Sequence, residues 1–125
     1  MVDREIIAQN EKKQFTTMDR KIWVKNGTRI IGVDTTNILY VEGNKMECIF
    51  HIKNHNEEKR IICSAKISTL EKILEEYGFI RCHRNYIFNP LLAEAYSENK
   101  LLVIFKKTTI PCSRRKKIEV IHDLI

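Results

Sequence analysis

Short runs of alternating apolar and polar residues dominate the chain from residue 21 onwards. Lys21 to Lys25 alternates, Asn26-Gly27 follows, and residues 28–33 resume the apolar pattern. Asn-Gly between two such runs predicts a hairpin closed by a type I′ turn, because that turn needs positive φ at both central positions. Further strands are predicted at residues 38–42, 47–53 and 59–63, and the nearly continuous apolar character of the first indicates a central strand.

Residues 68–77 follow the period of a helix instead. Ser68 and Glu71 have the spacing of a capping box, in which the two side chains satisfy open backbone N–H groups. Gly78 is suited to end the helix. The predicted apolar face consists of Leu70, Ile73, Leu74 and Tyr77.

A second helix is predicted near the C-terminus, with Ser113 as its N-cap. Its inward residues would be Ile118, Ile121 and Leu124. Short strands are predicted between the two helices, in two pieces around a turn at residues 79–88 and then at 93–96, 101–105 and 108–110. The sequence therefore predicts a mainly β fold of small antiparallel sheets with one internal α-helix and a short C-terminal helix.

The domain organisation follows from composition. Residues 1–20 are polar and without a period, which indicates a linker or a poorly ordered leader, and residues 21–125 are expected to form one domain. Neither a signal peptide nor an apolar run near the 20 residues of a membrane span is visible. A cytoplasmic location is therefore expected, with no membrane partner.

Positive charge is concentrated in one segment. The net charge is +6, and residues 79–117 hold nine Lys or Arg against two Asp or Glu, whereas the other residues hold thirteen against fourteen. A local excess of this kind is typical of a surface that binds nucleic acid or another polyanion.

The run from Phe79 to Pro90 combines apolar residues with hydrogen-bond donors. Its pattern predicts two strands joined by a turn that displays His83, Arg84 and Asn85 to solvent. Such side chains bind phosphates and base edges. Arg81 and Asn89 are expected to have structural roles, and His83 to be a donor within the turn.

A second basic stretch runs from Thr109 to Lys117. If Ser113 caps the last helix, Arg114 and Arg115 lie in its first turn, where cations oppose the helix dipole. A bound phosphate would explain them, because open N–H groups and both guanidiniums could hold it together. A solvated charged face is the alternative interpretation.

Taken together, these stretches resemble the LytTR DNA-binding domain family. The resemblance covers about residues 20–125 and depends on Phe79 to Asn89, which resembles the family's F-x-R-x-H-R-s-y-i-v-N run, and on Ile110 to Arg114, which resembles its i-p-x-S-R. It implies an elongated, mainly β domain that inserts loops into successive major grooves of duplex DNA and bends it.

The resemblance also implies where the DNA contacts lie, in three places along the chain. They are Asn44, Lys45 and Met46 with the neighbouring Glu47, then His83, Arg84 and Asn85, and finally Ser113, Arg114, Arg115 and Lys116. Members of the family are mostly output domains of bacterial response regulators in two-component systems and regulate transcription. They tend to occupy paired direct repeats, which makes a homodimer on DNA one expected arrangement. Either a receiver domain is missing from this chain, or the chain is a stand-alone or otherwise regulated member of the family.

Other functions remain open at this stage. A β-fold module for RNA or single strands would need exposed aromatic side chains, whereas those near the basic segment look buried. A protein-interaction domain for an acidic partner is another alternative. No catalytic motif, cofactor or metal site is expected, and His51 and His55 are not expected to share a metal. Cys48 and Cys63 are interpreted as core residues, and cations beside Cys82 and Cys112 would lower a thiol pKa, which leaves a redox role open.

Overall fold

The computed structural model describes residues 20–55 and 57–125. The interpretation of residues 1–19 as a leader or linker lies outside the described residues. The strands are β1 (Lys21–Asn26), β2 (Arg29–Asp34), β3 (Ile38–Asn44), β4 (Glu47–Asn54), β5 (Glu57–Cys63), β6 (Ile80–His83), β7 (Tyr86–Phe88), β8 (Ala95–Ser97), β9 (Leu102–Ile104) and β10 (Thr109–Pro111). The helices are α1 (Ile67–Glu75) and α2 (Lys117–Leu124), and 3₁₀ turns at Thr35–Asn37 and Arg114–Lys116 precede β3 and α2.

The strands form three antiparallel sheets. Five of them pair in the order β5-β4-β3-β7-β6, while β1 pairs with β2 and β9 lies between β8 and β10. The predicted fold class is therefore confirmed, with β3 at the centre of the largest sheet. None of the helices in the described part of the chain is long and apolar enough to cross a membrane.

The five-stranded sheet is covered on both faces. One face packs against the β1–β2 hairpin and α1, through buried residues such as Val24, Phe50 and Leu74. The other face packs against the three-stranded sheet and α2, through residues such as Phe88 and Val120. Because side chains alternate along a strand, β3 and β7 supply residues to both cores, and this explains the nearly continuous apolar sequence of β3.

The hairpin turn between β1 and β2 differs from the predicted one. Asn26 pairs with Arg29, so the two turn residues are Gly27 and Thr28, and only Gly27 has positive φ, at 61°. A type I′ turn needs positive φ at both positions, so the turn has the pattern of type II′. The Asn26 side chain instead donates to the Ile62 carbonyl at 2.6 Å, which joins the hairpin to β5.

The predicted capping box of α1 is wrong. The helix begins at Ile67, its N-cap is Lys66, and no side chain caps it. The Glu71 carboxylate instead accepts from Arg81 on β6 at 2.6 Å. Because the helix begins before Ser68, Ser68 and Glu71 do not occupy the N-cap and N3 positions, and the Glu71 carboxylate pairs with the positive charge of Arg81 instead.

The apolar face predicted for α2 is wrong for Ile118 and Leu124, whereas Ile121 is half-buried. Val120 is its buried residue, whereas Ile118 is 81% exposed and Leu124 is 40% exposed. The chain enters α2 through the 3₁₀ turn at Arg114–Lys116, and such a turn has 3.0 residues per turn rather than 3.6. This changes the phase of the helix relative to the phase expected from a helix that starts at Ser113.

His51 is buried rather than exposed at the surface, on the face of the five-stranded sheet that packs against the three-stranded sheet and α2. It is 3% exposed, its ring stacks on Tyr40 with centroids 4.1 Å apart, and it lies 2.8 Å from Glu58 and 3.0 Å from Glu42. The sheet's second face is covered, so a polar residue at this position needs internal partners. Two carboxylates supply them.

Asn89 joins β7 to the start of β3. Its amide donates to the Ile38 carbonyl at 3.0 Å and to the Thr35 carbonyl at 3.4 Å, and its oxygen accepts from the Leu91 N–H at 3.0 Å. The side chain is 1% exposed, so water cannot replace these bonds.

Substitution of Asn89 by Ala should destabilise the domain by about 1–3 kcal/mol, because buried carbonyls lose their donor. Urea unfolding measures the loss, with Asn99→Ala as the control because Asn99 is exposed in a turn. Equal free energies of unfolding for the two variants would contradict the assigned role of Asn89.

Candidate nucleic-acid interface

The first predicted contact region is the β3–β4 hairpin turn. Asn44 pairs with Glu47, so Lys45 and Met46 are the two turn residues, and both are exposed. Lys45 has φ of 57°, in the left-handed region that non-glycine residues rarely adopt. A tight turn in this conformation directs its side chains away from the sheet, towards solvent.

Gly43 has a positioning role in this turn that the sequence interpretation missed. A Cβ at this position would lie 3.0 Å from the Cβ of Ile67, at the start of α1. The available signal was a glycine at the end of a strand, which often marks a close approach of another element. The absence of a side chain lets α1 pack directly beside the β3–β4 turn.

The second region is the β6–β7 turn. His83 pairs with Tyr86, so Arg84 and Asn85 are the two turn residues and both are exposed. His83 was expected to be a donor in this turn, but its Nδ1 accepts from the Asn85 N–H at 3.1 Å. Nδ1 is the acceptor, so a neutral His83 carries its proton on Nε2, which remains available as a donor.

The third region precedes α2. Arg114, Arg115 and Lys116 form the 3₁₀ turn, with Ser113 in extended conformation immediately before it. The Ser113 side chain makes no capping hydrogen bond, contrary to expectation, while its carbonyl accepts from the Lys116 N–H at 3.1 Å. Both arginines are exposed, and they precede the α-helix rather than forming its first turn.

Backbone pairing brings the three regions to one end of the five-stranded sheet. β3 and β6 both run antiparallel to β7, so they end together, and the two hairpin turns are neighbours. The Gly43 N–H donates to the Asn85 carbonyl at 2.8 Å, which links the two turns directly. The Ser113 N–H donates to the Cys82 carbonyl, also at 2.8 Å, which places the third region beside β6.

The cations of this surface differ in their partners. Among residues 20–55 and 57–125, no acidic side chain forms an ion pair with Lys45, Arg84, Arg114 or Arg115. Lys116 lies 3.3 Å from Glu119, a residue whose side chain is 65% exposed, and such surface pairs are weak. The interface therefore presents positive charge that acidic side chains in the described part of the chain do not neutralise.

The pKa of His83 is lowered from its ordinary value. Burial is the largest cause, followed by the positive charges of Arg84 and Arg81. Its ring also contacts the edge of Tyr86, with centroids 5.6 Å apart. A lowered pKa keeps the imidazole neutral near pH 7, which is consistent with Nδ1 as an acceptor.

The two cysteines beside the basic stretches are buried thiols in contact with each other. The hydrogen bond between Cys82 and Cys112, together with burial, raises the pKa of Cys82. The expectation that neighbouring cations lower this pKa is therefore wrong for Cys82. The positive charge of Arg81 does act to lower the pKa of Cys82, but it is the smallest of the causes and is outweighed by the others. Both side chains belong to the second core.

One cavity lies away from this surface. Its volume is about 310 Å³. It lies beside the β4–β5 turn, at the end of β4 opposite the β3–β4 turn. The residues that line it are Leu39, Lys53, His55, Glu57, Glu58, Leu92, Glu94 and the segment from Phe105 to Thr108. Within the described part of the chain, no group of three His, Cys, Asp or Glu residues could hold a metal ion. The candidate interface is built from hairpin turns at the other end of β4 and does not include the residues that line this cavity.

Comparison with known proteins identifies the class of domain. The model of the LytTr DNA-binding domain family matches residues 28–123. The chain therefore belongs to this family of DNA-binding domains.

The fold is shared with a solved relative. The LytTr DNA-binding domain of a Bacillus cereus protein described as a methyl-accepting/DNA response regulator superposes with a TM-score of 0.64 and 21% sequence identity. The match covers 85% of this chain and 96% of that one. None of the curated proteins compared with this chain matches it.

The pKa of His83 should be lower in the folded protein than in the urea-unfolded protein. The neutral ring should carry its proton on Nε2, because Nδ1 accepts a hydrogen bond. Because the unfolded chain takes up the proton first, His83 contributes full stability above the ordinary histidine pKa, and this contribution declines as pH falls towards the lowered value. NMR titration of the imidazole and its ¹⁵N shifts measures both properties. Titration at or above the unfolded value would contradict the assignment.

Proposed function

We propose that this domain binds duplex DNA with sequence preference through its three converging turns and so regulates transcription inside the cell. The observation that supports this proposal is the meeting of Lys45, Arg84, Arg114 and Arg115 at one end of the sheet, where no acid among residues 20–55 and 57–125 forms an ion pair with them. Turns that project from a sheet end can enter a groove of a double helix. Membership of the LytTr DNA-binding domain family indicates that the ligand is DNA.

The proposed contacts divide into two kinds. Arg84 suits a two-point contact with a guanine edge, and Asn85 suits an adenine edge, because both project from a tight turn with fixed ends. One of Arg114 and Arg115 would contact a base and the other a phosphate. Phosphate contacts are proposed for Lys45, Lys116 and Ser113, and they orient the domain on the duplex without reading sequence.

Asn44, Met46 and His83 complete the proposed interface. Met46 is 64% exposed, so it can contact a thymine methyl group or a sugar. His83 can donate from Nε2 to an acceptor on the DNA, because Nδ1 is already used within the turn. Insertion in the major groove and binding as a pair of domains on direct repeats are parts of this proposal.

A single-strand or RNA function would need aromatic side chains free to stack on bases. The aromatic residues near the basic surface are occupied by protein contacts: Phe79, Phe88 and Phe105 are buried, and Tyr86 lies against Tyr40 and His83. Duplex DNA is therefore the favoured ligand.

Selection of bound duplexes from a random pool should yield a shared sequence, and the selected duplex should compete better than its separate strands. Binding should weaken steeply as salt rises, because each neutralised phosphate releases counterions. Gel mobility shift or fluorescence anisotropy measures both effects. Recovery of unrelated sequences, or preference for single strands, would contradict the proposal, and binding only to an acidic protein would replace it.

Arg84→Ala should weaken binding to the selected duplex by about 1–3 kcal/mol and relax the preference at one base position. Arg60→Ala is the matched control, since Arg60 is exposed on the edge strand β5, opposite His51 and away from the turns. Repeated selection with each variant measures the preference. An unchanged preference in Arg84→Ala would contradict base readout by this residue.

Lys116→Ala should weaken binding to all duplexes alike and reduce the slope of log K against log salt by about 1. Lys59→Ala, at the other end of the sheet near the β4–β5 turn, removes the same charge and should leave the slope unchanged. Salt titrations with selected and unrelated duplexes measure the difference. Equal slopes for the two variants would exclude the phosphate contact.

A further inference from the structure

Arg81 makes three hydrogen bonds, one from each guanidinium nitrogen. Nε donates to the His83 carbonyl at 2.8 Å, one terminal nitrogen donates to the Arg84 carbonyl, and the other donates to Glu71 of α1 at 2.6 Å. Its side chain is 16% exposed. The nitrogens are therefore directed into the protein, and Arg81 differs in this respect from the exposed arginines beside it.

These bonds supply donors to backbone carbonyls of the β6–β7 turn. The carbonyls of His83 and Arg84 accept from Arg81, and the carbonyl of the next residue, Asn85, accepts from the Gly43 N–H at 2.8 Å. Three consecutive carbonyls of one exposed turn thus have donors within the protein. The Asn85 N–H also has a partner, because it donates to Nδ1 of His83 at 3.1 Å.

The Glu71 carboxylate fixes Arg81 and neutralises it. Glu71 lies on α1, and Arg81 lies on β6 beside a register shift between Arg81 and His83. A planar guanidinium can serve three acceptors in fixed directions, which a lysine ammonium on a flexible stem does not reproduce. The pair adds no net charge to the interface, so its contribution is to geometry.

We propose that Arg81 is a positioning residue for DNA recognition, which sets the shape of the His83–Asn85 turn in the free protein and ties it to α1 through Glu71. This proposal rests on the proposed function. A turn held in its binding shape loses less conformational entropy on association, and a base contact needs its side chain at a defined position. Arg81 itself contacts no DNA.

The test removes both charges of the pair at once, with Arg81→Gln and Glu71→Gln combined, so that the net charge of the protein stays the same. Affinity for the selected duplex should fall about tenfold, as expected when one base contact is misplaced. Affinity for unrelated duplexes and the slope of log K against log salt should not change. Lys72→Gln and Glu75→Gln combined is the control, since both residues are exposed on α1 and their joint replacement also leaves the net charge the same.

A readout without DNA tests the same role independently. Backbone ¹⁵N order parameters of residues 83–85 should fall in the double variant and stay unchanged in the control. Arg81→Lys, which keeps the charge, should show the same loss of order in part, and Glu71→Gln alone serves if the double variant does not fold.

The outcomes separate the two proposals. Unchanged affinity for the selected duplex together with unchanged order parameters would overturn the role of Arg81 while duplex binding by the unaltered protein still stands. A salt slope reduced by about 1 in the double variant would also overturn it, because Arg81 would then be a phosphate contact. Failure of the unaltered protein to bind any duplex would refute the proposed function itself, whereas the order parameters would still report the positioning.

Discussion

Antiparallel pairing of β3, β7 and β6 is the constraint on which the rest of the structure depends. It makes β3 and β6 end at the same place, so two hairpin turns that lie almost 40 residues apart in the chain become neighbours. The Gly43–Asn85 and Ser113–Cys82 backbone bonds then join the turns to each other and to the segment before α2. Backbone bonds of this kind do not depend on side-chain identity, so the surface residues are free to serve recognition.

The sheet can support these turns because both of its faces are buried. Packing on α1 and the β1–β2 hairpin fixes one face, and packing on the three-stranded sheet and α2 fixes the other. The cost is that His51 must be satisfied inside the protein, which Glu42 and Glu58 do. Glu42 also pairs with Tyr86 across β3 and β7, so this polar cluster lies just beneath the β6–β7 turn.

The basic residues that make the segment 79–117 so positive are not equivalent. Arg81 is used to shape a turn and is neutralised by Glu71, whereas Arg84 is exposed beside it. The same contrast separates Lys116, which has Glu119 nearby, from the exposed Arg114 and Arg115. Net charge therefore indicates the class of ligand, but the partners of each cation decide which of them can contact it.

The sequence by itself determined the succession of strands along the chain, the internal helix, the turn at His83–Asn85 and the location of the positive charge, because these depend on local periodicity and composition. Only the tertiary structure decided that Glu71 binds Arg81 instead of capping α1, that Val120 rather than Ile118 faces the core, and that His51 is buried. Each of these depends on a partner distant in the chain or on the phase of a short 3₁₀ turn. Convergence of the three turns has the same origin, since strand pairing between distant segments is a non-local choice that no local pattern specifies.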